Sequence, residues 1–188
     1  LLFFFLITFS LFSFAQESIN LLSFNVWNQG IGIPKSLTKI RDVIQTTDAD
    51  IVGFAEVRNY GGRDWTKKIV AALNKNGATY YGKYIGGDVS IISKYPILNS
   101  KLIYNGEGSI ALFEIETSQQ TIVLAMAHLD YTKYACYLPR GYNGGTPNWK
   151  MIDDGSGNPL PAKTASEVID YNLSSTRDEQ IQAFLDAV

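Results

Sequence analysis

Hydrophobic and polar positions divide the chain into two textures. In "INLLSFNVW", Leu22, Phe24 and Val26 fall on one face and Leu21, Ser23 and Asn25 on the other, the period of a half-buried strand. Gly30, Gly32 and Pro34 mark a loop. Leu37, Ile40 and Ile44 then recur at helical spacing in "SLTKIRDVIQTT", with Ser36 as the expected N-cap. "ADIVGFAEV" is short and nearly all apolar, as expected of a strand buried on both faces. Asp64 to Asn76 predicts a second helix, with Trp65, Ile69, Ala72 and Leu73 on its apolar side and Gly77 closing it. Consecutive strands follow: "TYYGKYIGG", "DVSIISKYPI", "SKLIYNG", "SIALFEIET" and "QTIVLAMAH". Gly86-Gly87, Pro96, Gly106-Gly108 and Ser118-Gln119-Gln120 punctuate them. Tyr131 to about Pro161 is rich in Gly, Pro and Asn, a length of loop that is often functional. From about Ala165 to the end the pattern turns helical, with Val168, Ile169, Leu173, Ile181, Phe184 and Leu185 as the apolar side. Two strand-helix units followed by a run of strands predict an α+β, layered α/β architecture with mixed strand pairing.

Composition adds a size and a compartment. With 188 residues, 46% of them hydrophobic, the chain can bury the core of one domain. A net charge of −2 gives no global basic field that would point to nucleic acid, and it does not exclude a phosphate-bearing substrate. Residues 1–15 are apolar and uncharged, with Ser13 and Ala15 spaced as in a signal-peptidase site. They read as a signal peptide clipped at its N-terminus, and residues 16–188 as the domain proper. A buried first strand or an uncleaved anchor is the alternative. Cys136 is the one cysteine, so no disulfide forms within these residues. Export to a bacterial periplasm or medium is the expectation.

Candidate chemistry lies at strand ends. Asn25, Glu56 and His128 each finish an apolar strand, and His128 is the only histidine. Strands side by side would bring these ends to one rim. Carboxylate and carboxamide oxygens suit a hard ion such as Mg²⁺, and a histidine moves protons, a combination fit for metal-assisted hydrolysis of a phosphate ester. Each residue also has a plain reading: Asn25 as a turn residue, Glu56 as the point where a strand meets water, His128 as the edge of the core. Asp130 can ligate the metal or orient His128, or it can bond its own turn amides. The loop after it interleaves Lys133, Arg140 and Lys150 with Tyr131, Tyr134, Tyr137, Tyr142 and Trp149 and carries no acidic residue through Lys150. That texture suits a pocket for an anion with an organic group, stacking on nucleobases, or a lipid surface. It equally suits tyrosines packed on the domain.

"LLSFNVW", "ADIVGFAEVR", "DVSIISKYPI", "VLAMAHLDY" and "RDEQIQAFLDA", in this order, resemble the endonuclease/exonuclease/phosphatase superfamily. That group includes deoxyribonuclease I, the exonuclease III-type repair enzymes, inositol polyphosphate 5-phosphatases and neutral sphingomyelinases. The resemblance implies a deoxyribonuclease I-like four-layer β-sandwich flanked by helices, here without its C-terminal portion. It implies that Glu56 is a ligand of Mg²⁺, Mn²⁺ or another divalent cation. Asn25 would help to position metal and phosphate, and His128 would stabilise or protonate around the scissile phosphate. Arg58 matches a phosphate-contacting arginine of deoxyribonuclease I-like members, with a surface salt bridge as the other reading. Arg140, Tyr142 and Arg177 are further candidates for the substrate side, and the helix of Arg177 and Gln180 is expected to pack on the sheet.

The family's "GDFN" strand and final Asp-His pair do not occur in these residues. The expectation is therefore a fragment cut at both ends, inactive alone, of a metal-dependent phosphoesterase that hydrolyses phosphodiesters or phosphomonoesters by in-line attack of water. Nucleic acid, a lipid headgroup and a small phosphodiester all remain open as its substrate, and no protein partner is evident. A non-catalytic binding relative on the same fold is the alternative. A serine hydrolase fits poorly, since no G-x-S-x-G elbow is present.

Overall fold

The computed structural model describes residues 18–141 and 164–188. Four strands, β1 (Leu21–Asn25), β2 (Ile51–Ala55), β3 (Tyr81–Tyr84) and β4 (Val89–Ser93), form a sheet in the order β1-β2-β4-β3. The pair β1-β2 is parallel and the other pairs are antiparallel, the mixed pairing expected. A parallel pair needs a crossover, and the helix α1 (Ser36–Thr47) supplies it. The strands β5 (Ile97–Gly106), β6 (Gly108–Glu116) and β7 (Thr121–His128) make a second, antiparallel sheet in simple meander order.

Side-chain alternation on β2 explains why both its faces are apolar. Val52 and Phe54 point to a core shared with Ile40 and Ile44 of α1 and with Trp65, Ile69 and Leu73 of α2 (Trp65–Asn74). Ile51 and Ala55 point to a second core between the sheets, with Val89, Ile91, Ala111, Phe113, Ile115 and Met126. Phe54 and Trp65 meet edge to face at 5.1 Å. On the opposite face, between Ile51 and Ala55, Gly53 admits Met126: a Cβ there would lie 2.5 Å from the Met126 sulfur. The last helix packs against β5 and β6, and Ala187 and Val188 line a cavity with Leu112, Glu114 and Val123. Helices, sheet, sheet and helix form successive layers. Among the described residues no helix is long and apolar enough to cross a membrane.

Several local expectations are corrected. Ser36 opens α1 but does not cap it; Lys35 precedes it in the left-handed region at φ 57°, and no side chain caps the helix. Asp64 caps α2 instead, accepting from the Lys67 amide at 3.0 Å, and α2 ends at Asn74. "DVSIISKYPI" is not one strand: Lys94 to Pro96 carries the chain from one sheet to the other. The last helical stretch is two helices, α3 (Ala165–Leu173) and α4 (Arg177–Leu185). They part where Ser174 bonds back to the Tyr171 carbonyl and the Thr176 amide turns to Asp130. Their expected apolar side does not form a buried stripe, since Ile169, Leu173, Ile181 and Leu185 are exposed. The fully buried position of α4 is Gln180, drawn in because its side-chain oxygen accepts from the Asp130 amide at 2.8 Å. Within the long loop, Ala135–Arg140 forms a 3₁₀ helix. Residues 1–15 and Tyr142 lie outside the described residues.

Candidate active site

Strand register sets the rim. Asn25 pairs with Ala55, and Ala55 with Val89, so Glu56 leaves β2 beside the start of β4. Glu56 takes a left-handed backbone, φ 64°, which turns the chain immediately after the strand. Its carboxylate is held from both sides. Asn25 Nδ2 donates to Oε1 at 2.9 Å, and the Asn28 amide donates to Oε2 at 2.8 Å. The Trp27 amide donates to Asn25 Oδ1 at 2.8 Å, and the Gln29 amide to the Glu56 carbonyl at 3.1 Å. These bonds secure a turn, Trp27–Gly30, in which φ is 39°, 52°, 61° and 69° in succession. Left-handed backbone costs about 1–2 kcal/mol per non-glycine residue. The charge-assisted bonds to Glu56 offset that cost. The turn holds Trp27 64% exposed, on a groove shared with Asn28, Ile31, Arg58 and Tyr60.

The second sheet brings His128 to the same rim. His128 pairs with Ser109 across β6-β7, and Ser109 Oγ accepts from the Asp88 amide at 3.0 Å. The Asp88 carbonyl accepts from Val57, directly after Glu56. Asp88 thus bridges the sheets, and its Oδ2 lies 2.6 Å from His128 Nδ1. A carboxylate can only accept, so Nδ1 carries a proton and Nε2 is left for chemistry. Tyr131 stacks on the imidazole with centroids 5.2 Å apart and planes 12° apart. The Arg58 guanidinium lies over the Tyr131 ring at 4.8 Å, with Nε 3.9 Å from Asp88 Oδ2. Gly108 is needed beneath: at φ 145°, a Cβ would sit 2.4 Å from the His128 carbonyl oxygen.

Asp88 and Tyr131 are the partners of His128 that sequence reasoning missed in these roles. Asp88 reads locally as the first residue of a buried strand. The available signal was a carboxylate directly behind the Gly86-Gly87 turn, at the mouth of an apolar run. Asp130, expected as a metal ligand or as the orienter of His128, makes no described hydrogen bond to His128, whose partner is Asp88. Asp130 is buried, and its oxygens accept from the Thr132 amide and hydroxyl and from the Thr176 amide. Burial pushes its pKa up, but these bonds and the Arg177 charge outweigh that and hold it below the usual carboxylate range. The Arg177 guanidinium donates to the carbonyls of Asp130 and Lys133 and to Asn172. It clamps the loop after β7. Arg140 is exposed at the end of the 3₁₀ helix, and no hydrogen bond or ion pair described links it to Glu56 or His128.

The donor set bears on a divalent cation. Among the described residues no three His, Cys, Asp or Glu side chains cluster as a metal cage. Each Glu56 oxygen accepts one hydrogen bond and keeps a lone pair, so Glu56 fits as a single carboxylate ligand of Mg²⁺, an ion that retains several waters. The Asn25 nitrogen donates to Glu56 and so steadies that carboxylate, while its amide oxygen accepts from the Trp27 amide and, like each Glu56 oxygen, keeps one lone pair.

The fold has solved counterparts. An endonuclease/exonuclease/phosphatase from Beutenbergia cavernae DSM 12333 superposes with a TM-score of 0.51 at 13% identity, over 64% of this chain and 40% of that one. SmcL superposes with a TM-score of 0.50 at 12% identity, over 90% of this chain and 58% of that one. The chain therefore spans about half the length of these structures. A search of curated proteins finds no match. The model of the Endonuclease/Exonuclease/phosphatase family matches residues 22–151, a span that includes Asn25, Glu56, Asp88 and His128. The chain belongs to the endonuclease/exonuclease/phosphatase family.

Proposed function

We propose that the protein carrying this chain is a divalent-metal-dependent phosphoesterase that hydrolyses a phosphate ester by in-line attack of water. The observation that carries this reading is the junction of two pairs on one rim, Asn25–Glu56 from the first sheet and Asp88–His128 across the two sheets. Glu56 would hold Mg²⁺ or Mn²⁺, which when bound supplies positive charge against the phosphate oxygens. Asn25 and the Asn28 amide hold the Glu56 carboxylate in place. Asp88 fixes the tautomer of His128, so Nε2 can share or pass a proton at the scissile phosphate or its leaving oxygen. Arg58 adds a guanidinium beside the pair. The substrate carries a phosphate ester on nucleic acid, on a lipid headgroup or in a small phosphodiester. We also infer that the protein is exported, to the periplasm or the medium, on the strength of the uncharged apolar residues 1–15 with Ser13 and Ala15.

The test is to assay the full-length protein with Mg²⁺ or Mn²⁺ on plasmid DNA, sphingomyelin and bis(p-nitrophenyl) phosphate in parallel. Turnover of one substrate, abolished by EDTA and restored by the metal, is expected. His128→Ala should lower that turnover about 10²- to 10⁴-fold. Near-normal turnover by the variant would remove His128 from the chemistry. Binding without turnover of any phosphate ester would make the protein a binding module.

A further inference from the structure

We propose that Tyr131 is a positioning residue for His128 and works by keeping Arg58 away from Asp88. The inference rests on the reading of His128 as the proton-handling group, but the geometry it invokes can be measured without turnover. Four side chains close a ring of contacts. Asp88 Oδ2 meets His128 Nδ1 at 2.6 Å, His128 stacks on Tyr131, the Arg58 guanidinium lies over Tyr131, and Arg58 Nε stands 3.9 Å from the same Oδ2. That last distance is ionic attraction without a hydrogen bond. Two buried atoms confirm it: Arg58 Nε and Asp88 Oδ1 each lack a hydrogen-bond partner.

A half-buried arginine such as Arg58 beside a buried carboxylate ordinarily closes into a short, often bidentate pair. Here the pair stays open, and the carboxylate accepts its one side-chain hydrogen bond from His128 Nδ1. Tyr131 supplies a competing attraction beside the Tyr60 side chain, which also bonds the guanidinium, because a guanidinium over an aromatic face is held there by the ring quadrupole. The same ring also lies flat on the imidazole, so His128 is fixed along the Nδ1 direction by Asp88 and about its plane by Tyr131. Removing the aromatic face frees Arg58 to close on Asp88, and the carboxylate then divides between guanidinium and imidazole.

In the full-length protein the His128 ring ¹⁵N and Nδ1–H resonances are assigned by their loss in His128→Gln. The wild-type chain should show one tautomer, with the proton on Nδ1 and a downfield hydrogen-bonded signal. Tyr131→Leu should lose that signal and populate both tautomers, and Tyr131→Phe should restore the wild-type spectrum. The decisive variant is Tyr131→Leu with Arg58→Gln: with no guanidinium to capture Asp88, the Nδ1–H signal should return. In the full-length protein Tyr131→Leu should lower kcat about 10- to 100-fold with KM little changed, within what a proton-transfer group contributes. A folded Tyr131→Leu chain with a wild-type His128 spectrum would overturn the proposal. So would a folded double variant that fails to recover the signal. If Tyr131→Leu does not fold, Arg58→Gln alone decides: unchanged or strengthened Nδ1–H bonding supports competition, and its loss overturns it. Should the spectra behave as expected while the protein hydrolyses no phosphate ester, the phosphoesterase reading fails and the positioning role stands.

Discussion

His128 Nδ1 and Asp88 Oδ2 lie 2.6 Å apart although forty positions separate them in the chain. One residue closes β7 and the other precedes β4, so the bond spans the two sheets. Its chemical content is a choice of tautomer. Asp88→Asn retains the size but can offer Nδ1 either an oxygen or an amide hydrogen, and the second forces the proton to Nε2. Turnover by the full-length protein should fall about 10²- to 10⁴-fold, with KM little changed. A kcat within threefold of wild type, measured at saturating substrate, would show that His128 needs no fixed tautomer.

On the proposed reading, Glu56 would hold the cation and Asn25 would steady Glu56. Asn25→Ala removes the group that steadies Glu56, and outer-shell losses of this kind cost about 10- to 100-fold in metal affinity. Glu56→Gln removes the charge itself and should raise the required Mg²⁺ further. The Asn28 amide shares Glu56 with any bound ion, so metal should also perturb the adjacent, exposed Trp27. Titration followed by tryptophan emission reads this without substrate, and Trp27→Phe should abolish the change. An Mg²⁺ response identical in Glu56→Gln and wild type would place the ion elsewhere.

Asp130 makes a prediction about acid stability. Its pKa is lowered in the folded chain, so its contribution is complete above the unfolded carboxylate value of about 3.9. It is lost as pH falls through the lower folded value. Asp130→Asn should cost about 1.5–3 kcal/mol at neutral pH, the range for hydrogen bonds to a charged group, and flatten the acid limb below about pH 4. Urea midpoints measured from pH 7 down to pH 2 check both. An acid limb as steep as that of wild type would contradict the assignment.

Gly108 is fixed by its neighbours. Gly108→Ala meets the His128 carbonyl oxygen at 2.4 Å in a backbone region that suits glycine. A loss of roughly 1–3 kcal/mol is expected from overpacking alone. Chemical denaturation measures it, and a stability equal to wild type would show that the β6-β7 hairpin gives way at little cost.

The rim was legible because its signals are local. Period-two alternation through β1 put Asn25 opposite the apolar face, and the unbroken apolar run of β2 ended visibly at Glu56. What the sequence concealed depends on distant register. Asp88 acquires its partner only when Ser109 aligns with His128, which no window around Asp88 contains. Asp130 beside His128 invited pairing by proximity, but the strand exit points its carboxylate at Thr132 and Thr176 instead. The helix from Ala165 appeared continuous because leucine and isoleucine recur at helical spacing. Its interruption comes from one amide, that of Thr176, claimed by a carboxylate 46 positions earlier.

Gly53 carries no chemistry, yet it sits three residues before Glu56 and faces Met126, two residues before His128. The contact between them is where the two sheets lie against each other, one bearing the carboxylate and the other the imidazole. Gly53 thus acts as a shim of zero thickness. Any side chain there would act as a wedge, opening the gap between the Asn25–Glu56 pair and the Asp88–His128 pair. The reach of the site is gauged in the core, by a missing methyl group, before any reactive residue enters.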